Sequence, residues 1–409
     1  MTSTIVFFSI IGILVLNFIF DKWLDYLNFQ HFTDEIPNEL KEVYDEEQYL
    51  KSQNYKKETY HFSLLISVIS FITILGFLFF DGFAFVDKIA RNITTNETLI
   101  SLLFFGILSI GSVILTTPIS YYRTFVIEEK FGFNKTTKKL FFIDKIKGIL
   151  LSTIIGGIIL YIIILFYNQF STNFWIYALV LITVFSVFMN MFYSTLIVPL
   201  FNKQTPLEEG ELKNSLETFV KKAGFKLDQL FVIDGSKRST RANAYFAGFG
   251  SKKRVVLYDT LINDLETQEI VAVLAHEVGH YKHKHIIYNF IVGTIITAFT
   301  LYLLSIFINN ELLAQALGVS IPNFHIGLIA FGLLYTPISE VTGLINNIIS
   351  RKFEYQADNF ANKFGLGIAL INGLKKLSKN NLSNLTPHSW YVYYHYSHPT
   401  LLQRYKNLN

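Results

Sequence analysis

The 409-residue chain is too apolar and too low in charge for an ordinary soluble enzyme, since 51% of its residues are hydrophobic and only 16% are charged. A multi-pass membrane protein is predicted instead. The formal net charge of +4 is small and comes from particular loops, so no nucleic-acid partner is expected. The absence of cysteine excludes disulfides, a cysteine-ligated metal and a thiol nucleophile.

Seven stretches are apolar and long enough to cross a bilayer. They are residues 3–20, 62–80, 98–122, 147–167, 175–200, 286–309 and 325–349. Lysine and arginine concentrate in residues 21–60 and 123–147, whereas the intervening loops carry few. By the positive-inside rule, the N-terminus is expected outside and the C-terminus in the cytosol. The polar blocks at 201–285 and 350–409 would then share the cytosolic side.

This pattern predicts four parts. They are transmembrane helices one to five with their cytosolic loops (1–200), a first catalytic block (201–285), transmembrane helices six and seven (286–349), and a second catalytic block with the C-terminal tail (350–409). Exposure of a charged side chain to lipid costs about 2.5 to 3.5 kcal/mol on insertion scales. Glu340 in the seventh span is therefore expected to be sheltered from lipid. Either a hydrogen bond to another helix or a water-filled cavity would do this.

The first catalytic block contains three strand-like runs, at 230–234, 243–249 and 254–258, which predict a small β-sheet. An exposed edge of such a sheet would accept an extended peptide as an added strand. The alternative is that the sheet only supports packing. The sequence does not show which strand lies at the edge.

The segment VAVLAHEVGH, residues 271–280, sets His276 and His280 four apart on a predicted helix, with Glu277 between them. Residues at this spacing lie on one helical face, about 6 Å apart. Two neutral imidazoles can therefore bind one tetrahedral zinc ion while the glutamate addresses a water molecule at the open position. The segment predicts metal-assisted peptide hydrolysis, with Glu277 as general base.

The helix is supported by cap candidates Asp264 and Thr267, and by acids in its first turn. The sixth span begins directly after it, so the helix is predicted to run straight into the membrane. His283 would lie about 10.5 Å of helix rise from His276, too far to share a metal ion. His283 and His285 are instead predicted to form a positively charged collar at the interface.

A third ligand is predicted after the seventh span, where Glu354 and Asp358 are again four apart on a helix-period segment. Glu354 would complete a His, His, Glu zinc site, and Asp358 would accept the outer N–H of a zinc-bound imidazole. A solvated acidic pair is the alternative. In the aromatic-rich tail, His398 is the candidate donor to the oxyanion, and Arg404 is a candidate anchor for a substrate carboxylate or for the structure.

Taken together, these segments resemble the integral-membrane zinc metalloproteases of the type I CAAX prenyl protease family. The resemblance rests on IEEKFGFNKTT (127–137), PLFNKQTPLEEGELK (199–213), NAYFAGFG (243–250), HEVGHYKHKH (276–285), SRKFEYQAD (350–358) and YSHPTLLQR (396–404). It implies a mainly α fold in which seven transmembrane helices enclose an intramembrane chamber, joined to a gluzincin-like zinc metalloprotease domain with a small β-sheet. That domain would face the cytosol.

The resemblance also implies roles for individual residues. The implied set is His276, His280 and Glu354 on one zinc ion, Glu277 as base, Asp358 behind a ligand, Asn243, Ala244 and Tyr245 in the substrate strand, and His398 and Arg404 beside the site. Members of the eukaryotic branch remove the last three residues of isoprenylated proteins that end in a Cys-aliphatic-aliphatic-X motif.

The expected partners are therefore a peptide or protein substrate, with an isoprenylated C-terminal cysteine as the leading candidate, and the lipid bilayer. A monomer is expected. A composition rich in Ile, Asn, Lys and Phe predicts a bacterial inner membrane rather than the endoplasmic reticulum. Two alternatives stay open: a membrane quality-control metalloprotease acting on unprenylated or misfolded proteins, and a non-proteolytic chaperone or receptor.

Overall fold

A computed structural model of the chain describes residues 2–225, 229–247 and 254–409. The described residues are mainly helical, because a chain that crosses lipid must satisfy its backbone hydrogen bonds internally. In order, the helices are α1 Ser3–Gln30, α2 Glu46–Phe79, α3 Gly82–Ile93, α4 Glu97–Tyr122, α5 Lys138–Phe170, α6 Phe174–Phe192, α7 Glu211–Lys222, α8 Asp259–Asp264, α9 Thr267–Lys282, α10 His285–Phe307, α11 Glu311–Ala316, α12 Phe324–Lys363, α13 Gly367–Asn380, α14 Ser389–His395 and α15 Leu401–Leu408.

Among the described residues, six stretches are long and apolar enough to cross a membrane. The longest runs over 63 residues from Lys138 to Leu200 and contains two helices, α5 and α6, joined by a short turn at Ser171–Asn173. The crossing helices are thus α1, α2, α4, α5, α6, α10 and α12. This agrees with the predicted multi-pass architecture.

The buried residues of the crossing helices are confined to short segments. In each helix, or in the helix and its adjoining turn, a long stretch contains no buried residue. These stretches are residues 11–23, 57–77, 105–126, 138–163, 179–193, 286–300 and 332–353. A bundle packed through its centre would bury one face of every helix. The observed burial is therefore compatible with the predicted intramembrane chamber, which stays a prediction.

One end of the bundle is closed by two clusters of buried apolar side chains. The first cluster joins α1, α3, α4, α11 and α12 through residues that include Ile10, Phe104 and Ile326. The second joins α5, α6, α10 and α12 through residues that include Ile164 and Phe174. This is the end of the bundle remote from α9.

The sheet of the described residues has the strand order β1-β2-β4-β3, with β1 at Gln204–Pro206, β2 at Gln229–Ile233, β3 at Ala244–Ala247 and β4 at Arg254–Tyr258. β2 and β4 are parallel, and both outer strands pair antiparallel with their neighbours. The predicted run 243–249 is a strand over Ala244–Ala247, and its residues 248 and 249 lie outside the described residues. The first strand, β1, was not predicted.

The two polar blocks share one hydrophobic core. Buried residues of the first block, among them Leu216, Leu257 and Val278, pack with Ala361 and Leu370 of the second. The link to the membrane is α12, which runs unbroken for 40 residues, or about 60 Å, from the end of the bundle remote from α9 into this core.

Two details of the α9 region differ from the sequence-based expectation. The N-cap is Glu266, which forms a capping box with Glu269, whereas Thr267 is already the first helical residue. The helix also does not run straight into the membrane. It ends at Lys282, and Lys284 adopts a left-handed backbone conformation (φ 59°) before α10 begins. A continuous helix cannot contain this conformation, so α9 and α10 are separate.

Candidate metal centre and substrate strand

The site is built where α9 crosses α12. Gly279 permits the close approach, because a Cβ at this position would lie 3.0 Å from the Ala357 Cα and 3.0 Å from the Phe360 Cβ. This contact brings one face of α9, carrying His276 and His280, against Glu354. A small residue between the two histidines is therefore a condition for assembling the site.

The donor atoms of His276, His280 and Glu354 converge. The two Nε2 atoms are 3.1 Å apart, and they lie 3.4 Å and 3.3 Å from the carboxylate oxygens of Glu354. A tetrahedral zinc site with bonds of about 2.0–2.1 Å has edges of about 3.3–3.4 Å. The three spacings are close to these edge lengths, although the two histidines approach different oxygens of the Glu354 carboxylate.

The electrostatics of the same group favour a bound cation. Glu354 is buried, and its Oε2 atom has no hydrogen-bond partner among the described residues. Burial lowers the pKa of His276, but the hydrogen bond to Asp358 and the nearby carboxylate of Glu354 outweigh it and raise that pKa to about 9. A buried carboxylate beside two imidazoles fits a divalent metal ion.

Asp358 and Arg404 lie behind His276. Asp358 is fully buried, and its Oδ1 atom is 2.9 Å from the Nδ1 atom of His276. Arg404 donates to both oxygens of Asp358, at 2.9 Å and 2.5 Å. The guanidinium is therefore engaged by Asp358, a geometry that favours the structural-anchor alternative; its predicted role in binding substrate stays a prediction.

A cavity of about 400 Å³ opens in front of the donor group. Glu277 and His398 both line it. Glu277 is partly exposed, and none of the described residues donates a hydrogen bond to its carboxylate. The His398 side chain is 65% exposed, with Nε2 3.4 Å from Glu354 and Nδ1 2.9 Å from the Ser397 hydroxyl. Both side chains can thus reach a ligand in the cavity.

The opposite wall of the cavity is formed by the start of β3, an edge of the described sheet. Asn243 and Ala244 line the cavity, and the Asn243 side chain accepts a hydrogen bond from the Ala244 N–H at 2.8 Å. Tyr245 does not line it. Its hydroxyl instead lies 3.2 Å from both Ser194 and Gln204, which ties β3 to the end of α6.

Comparisons with known proteins agree with this architecture. Residues 25–203 match the family description "CAAX prenyl protease N-terminal, five membrane helices", and residues 206–409 match "Peptidase family M48". CAAX prenyl protease 1 of Saccharomyces cerevisiae is 37% identical, over 96% of this chain and 93% of that protein. The chain belongs to the CAAX prenyl protease family.

Further relatives extend this result. The CAAX prenyl protease 1 homolog of Homo sapiens is 32% identical, over 91% of this chain and 88% of that protein. The crystal structure of S. mikatae Ste24p matches with a TM-score of 0.94 and 37% identity, covering 99% of both chains. As a family member, this chain is a membrane-embedded metallopeptidase that acts on peptide or protein substrates, which favours a peptidase over a chaperone or receptor.

Sequence reasoning missed two features of this family member's site. His285 is 2% exposed and bonded to His280, so its assignment to a charged interfacial collar was wrong. The segment before β3 is also fixed to the membrane helices, through Arg238 on Asp144 and Arg241 on Glu128. The IEEKFGFN motif contained Glu128, but nothing in the sequence paired it with a residue 113 positions later.

Proposed function

We propose that this chain is a zinc-dependent endopeptidase that cleaves near the C-terminus of proteins carrying an isoprenylated cysteine in a CAAX motif. The zinc site is supported by the spacings of 3.1–3.4 Å among the donors of His276, His280 and Glu354. The substrate class is supported by the relatives named CAAX prenyl protease 1.

The proposed mechanism assigns proton transfer to Glu277. When bound, zinc supplies Lewis-acid polarisation of the scissile carbonyl and lowers the pKa of water. Glu277 accepts a proton as the water oxygen attacks the carbonyl carbon, and returns it to the leaving amine as the C–N bond breaks. His398, exposed at the cavity, donates a hydrogen bond to the substrate oxyanion that forms in between.

The remaining residues are proposed to hold the substrate and the ligands. An extended peptide would add to the edge of β3 at Asn243 and Ala244, which places a bond of its backbone opposite the donor group. Tyr245 would fix that strand through its hydroxyl. Asp358 and Arg404 would orient the imidazole of His276, and Arg404 is also retained as a candidate for the substrate carboxylate.

We propose that residues 201–285 and 350–409 form one catalytic unit on the cytosolic side and that residues 1–200 and 286–349 form the membrane unit. The shared core of the two polar blocks supports the first part, and the positive loops support the orientation. A monomer and a bacterial inner membrane stay predictions, the latter from composition alone; the relatives named above come from eukaryotes.

The decisive experiment uses the purified full chain with two peptides ending in Cys-aliphatic-aliphatic-X, one farnesylated and one unmodified. We expect release of the last three residues from the farnesylated peptide, loss of this activity with a chelator, and recovery with zinc. Mass spectrometry identifies the bond, and initial rates give KM for each peptide.

Glu277→Gln tests the mechanism separately from metal binding, because it removes the proposed base and leaves the metal donors unchanged. It should retain zinc while kcat falls by at least about 10²-fold. Equal cleavage of both peptides would favour a membrane quality-control protease instead. Full activity in Glu277→Gln, or cleavage that ignores the chelator, would refute the mechanism.

A further inference from the structure

The two candidate zinc-binding imidazoles are supported differently on their outer sides. His276 has the carboxylate of Asp358 behind its Nδ1 atom. His280 has another imidazole there: its Nδ1 atom lies 3.0 Å from the Nδ1 atom of His285. The Nε2 atom of His285 is in turn 2.7 Å from the Oε1 atom of Gln356. None of the chemistry described above uses His285 or Gln356.

These contacts determine which ring nitrogen of His280 and of His285 carries the proton. An imidazole that ligates through Nε2 carries its proton on Nδ1, so His280 donates toward His285. The Nδ1 atom of His285 must therefore accept, which leaves its proton on Nε2, where it is donated to the amide oxygen of Gln356. A chain of two hydrogen bonds thus fixes the tautomers of both rings.

The fold makes this contact by breaking a helix. His285 follows His280 by five residues, so on a continuous helix their side chains would be about 140° apart around the axis. The left-handed conformation of Lys284 ends the helix and directs His285 back toward His280. A non-glycine residue in that conformation is strained, and such residues concentrate at functional sites.

Helix α12 holds the His285 ring in place. The ring stacks on Phe353 with a centroid distance of 4.0 Å and an interplanar angle of 8°. Phe353 and Gln356 flank Glu354 on the same helix, so one element supplies the third donor, the stacking surface and the terminal acceptor. The side chain of His285 is 2% exposed, which keeps water from replacing these partners.

We propose that His285 and Gln356 are positioning residues for metal binding: a neutral His285 imidazole, oriented by Gln356, holds His280 in the tautomer and orientation that ligate through Nε2. This rests on the proposed zinc site. The acceptor behind His280 is a neutral ring, whereas the acceptor behind His276 is the carboxylate of Asp358. The break between α9 and α10 then serves the metal site and not only the entry into the membrane.

The test measures zinc affinity of the full chain by competition with a chelator, without substrate. His285→Phe keeps a buried ring on Phe353 but cannot accept from His280, and we expect its zinc affinity to fall about 10- to 100-fold. His283→Phe is the matched control, because His283 is exposed and contacts the His285 ring without bonding to a ligand. It should bind zinc like the unaltered chain.

Gln356→Met provides a second, independent variant. It removes the amide oxygen that accepts the hydrogen bond from His285, so a smaller loss of zinc affinity is expected. Because both residues act through one contact to His280, the double variant His285→Phe/Gln356→Met should lose no more than His285→Phe alone. The visible spectrum of the cobalt-substituted protein should change in His285→Phe and stay unchanged in His283→Phe.

Unchanged zinc affinity in His285→Phe would overturn the proposal, as would losses that simply multiply in the double variant. Thermal unfolding of the metal-free variants separates loss of ligation from loss of folding. If His285→Phe does not fold, the same comparison is made with Gln356→Met. Zinc affinity equal to that of the unaltered protein in Gln356→Met would then overturn the proposal. A protein that binds zinc tightly yet cleaves no peptide would refute the proposed function and leave this inference intact.

Discussion

His398 is the residue whose proposed role depends most on a single contact. Its side chain is 65% exposed and approaches Glu354 at 3.4 Å, so it can donate toward a substrate oxyanion without being needed for packing. We predict that His398→Ala lowers kcat about 100-fold, the effect typical of losing one oxyanion donor. Zinc content should stay at one ion per chain.

The matched control for His398 is His61→Ala, which alters an exposed histidine on α2 outside the cavity of the donor group. It should leave kcat unchanged. Turnover by His398→Ala at the rate of the unaltered chain would remove His398 from the mechanism, whereas loss of zinc in that variant would reassign it to metal binding.

A second prediction for a single residue concerns Gly279, which permits the close contact between α9 and α12. A methyl group there would meet the backbone of Ala357 at 3.0 Å, so Gly279→Ala must move α12 away from α9 by a few tenths of an ångström. We expect lower zinc affinity and about 1–3 kcal/mol of destabilisation, as for overpacking in a core. Gly293→Ala, whose added methyl meets nothing within 4 Å, should leave zinc affinity unchanged and should not destabilise the protein, because alanine favours the helix.

At the scale of elements, the strand β3 is held by the segment immediately before it. Arg238 donates to both oxygens of Asp144 at 2.8 Å and 3.0 Å, and to the carbonyl of Phe201 at 2.8 Å. Three residues later, Arg241 donates to Glu128 at 2.9 Å, and its guanidinium lies 4.4 Å from the centre of the Phe133 ring. Two membrane-crossing segments thus fix the start of β3.

We therefore predict that Arg238→Met raises KM more than it lowers kcat. The substrate strand would lose its register to α5 while the donor group on α9 and α12 stays intact. A tenfold rise in KM, or about 1.4 kcal/mol, is expected from the loss of one paired charge. Arg123→Met is the control, since Arg123 is 56% exposed and only approaches Glu128, at 3.9 Å. Equal effects on KM from both variants would contradict the prediction.

The elements that the sequence predicted well are those specified by local pattern. The spacing of His276 and His280, and of Glu354 and Asp358, defines helical faces, and the apolar stretches define the crossing helices. What it could not predict depends on tertiary contact. The helix break before His285 needs a left-handed lysine, which no local signal favours, and β1 is a three-residue strand with an exposed, proline-containing sequence.

At the scale of the whole molecule, the sequence predicted that Glu340 is sheltered but not how. In the structure its carboxylate accepts a hydrogen bond from the Tyr394 hydroxyl at 2.7 Å, which joins α12 to α14. The predicted chamber has no local signature in the sequence, because an open centre and a packed centre use the same apolar helices. The long stretches without buried residues favour the open centre.

The predicted open centre can be tested with single-cysteine variants. The chain has no cysteine, so an introduced cysteine carries the only thiol of the protein. Thiols react with maleimides as thiolates, which form in water and are suppressed in lipid or a packed core. In single-cysteine variants over residues 105–122 of α4, we expect positions reactive toward a charged maleimide to recur about every 3.6 residues, as one stripe facing the chamber. Cysteines at Ile100 and Phe104, both buried in the sealed end, should stay unreactive. A central stretch that is unreactive at every position would show a closed, packed bundle and contradict the chamber.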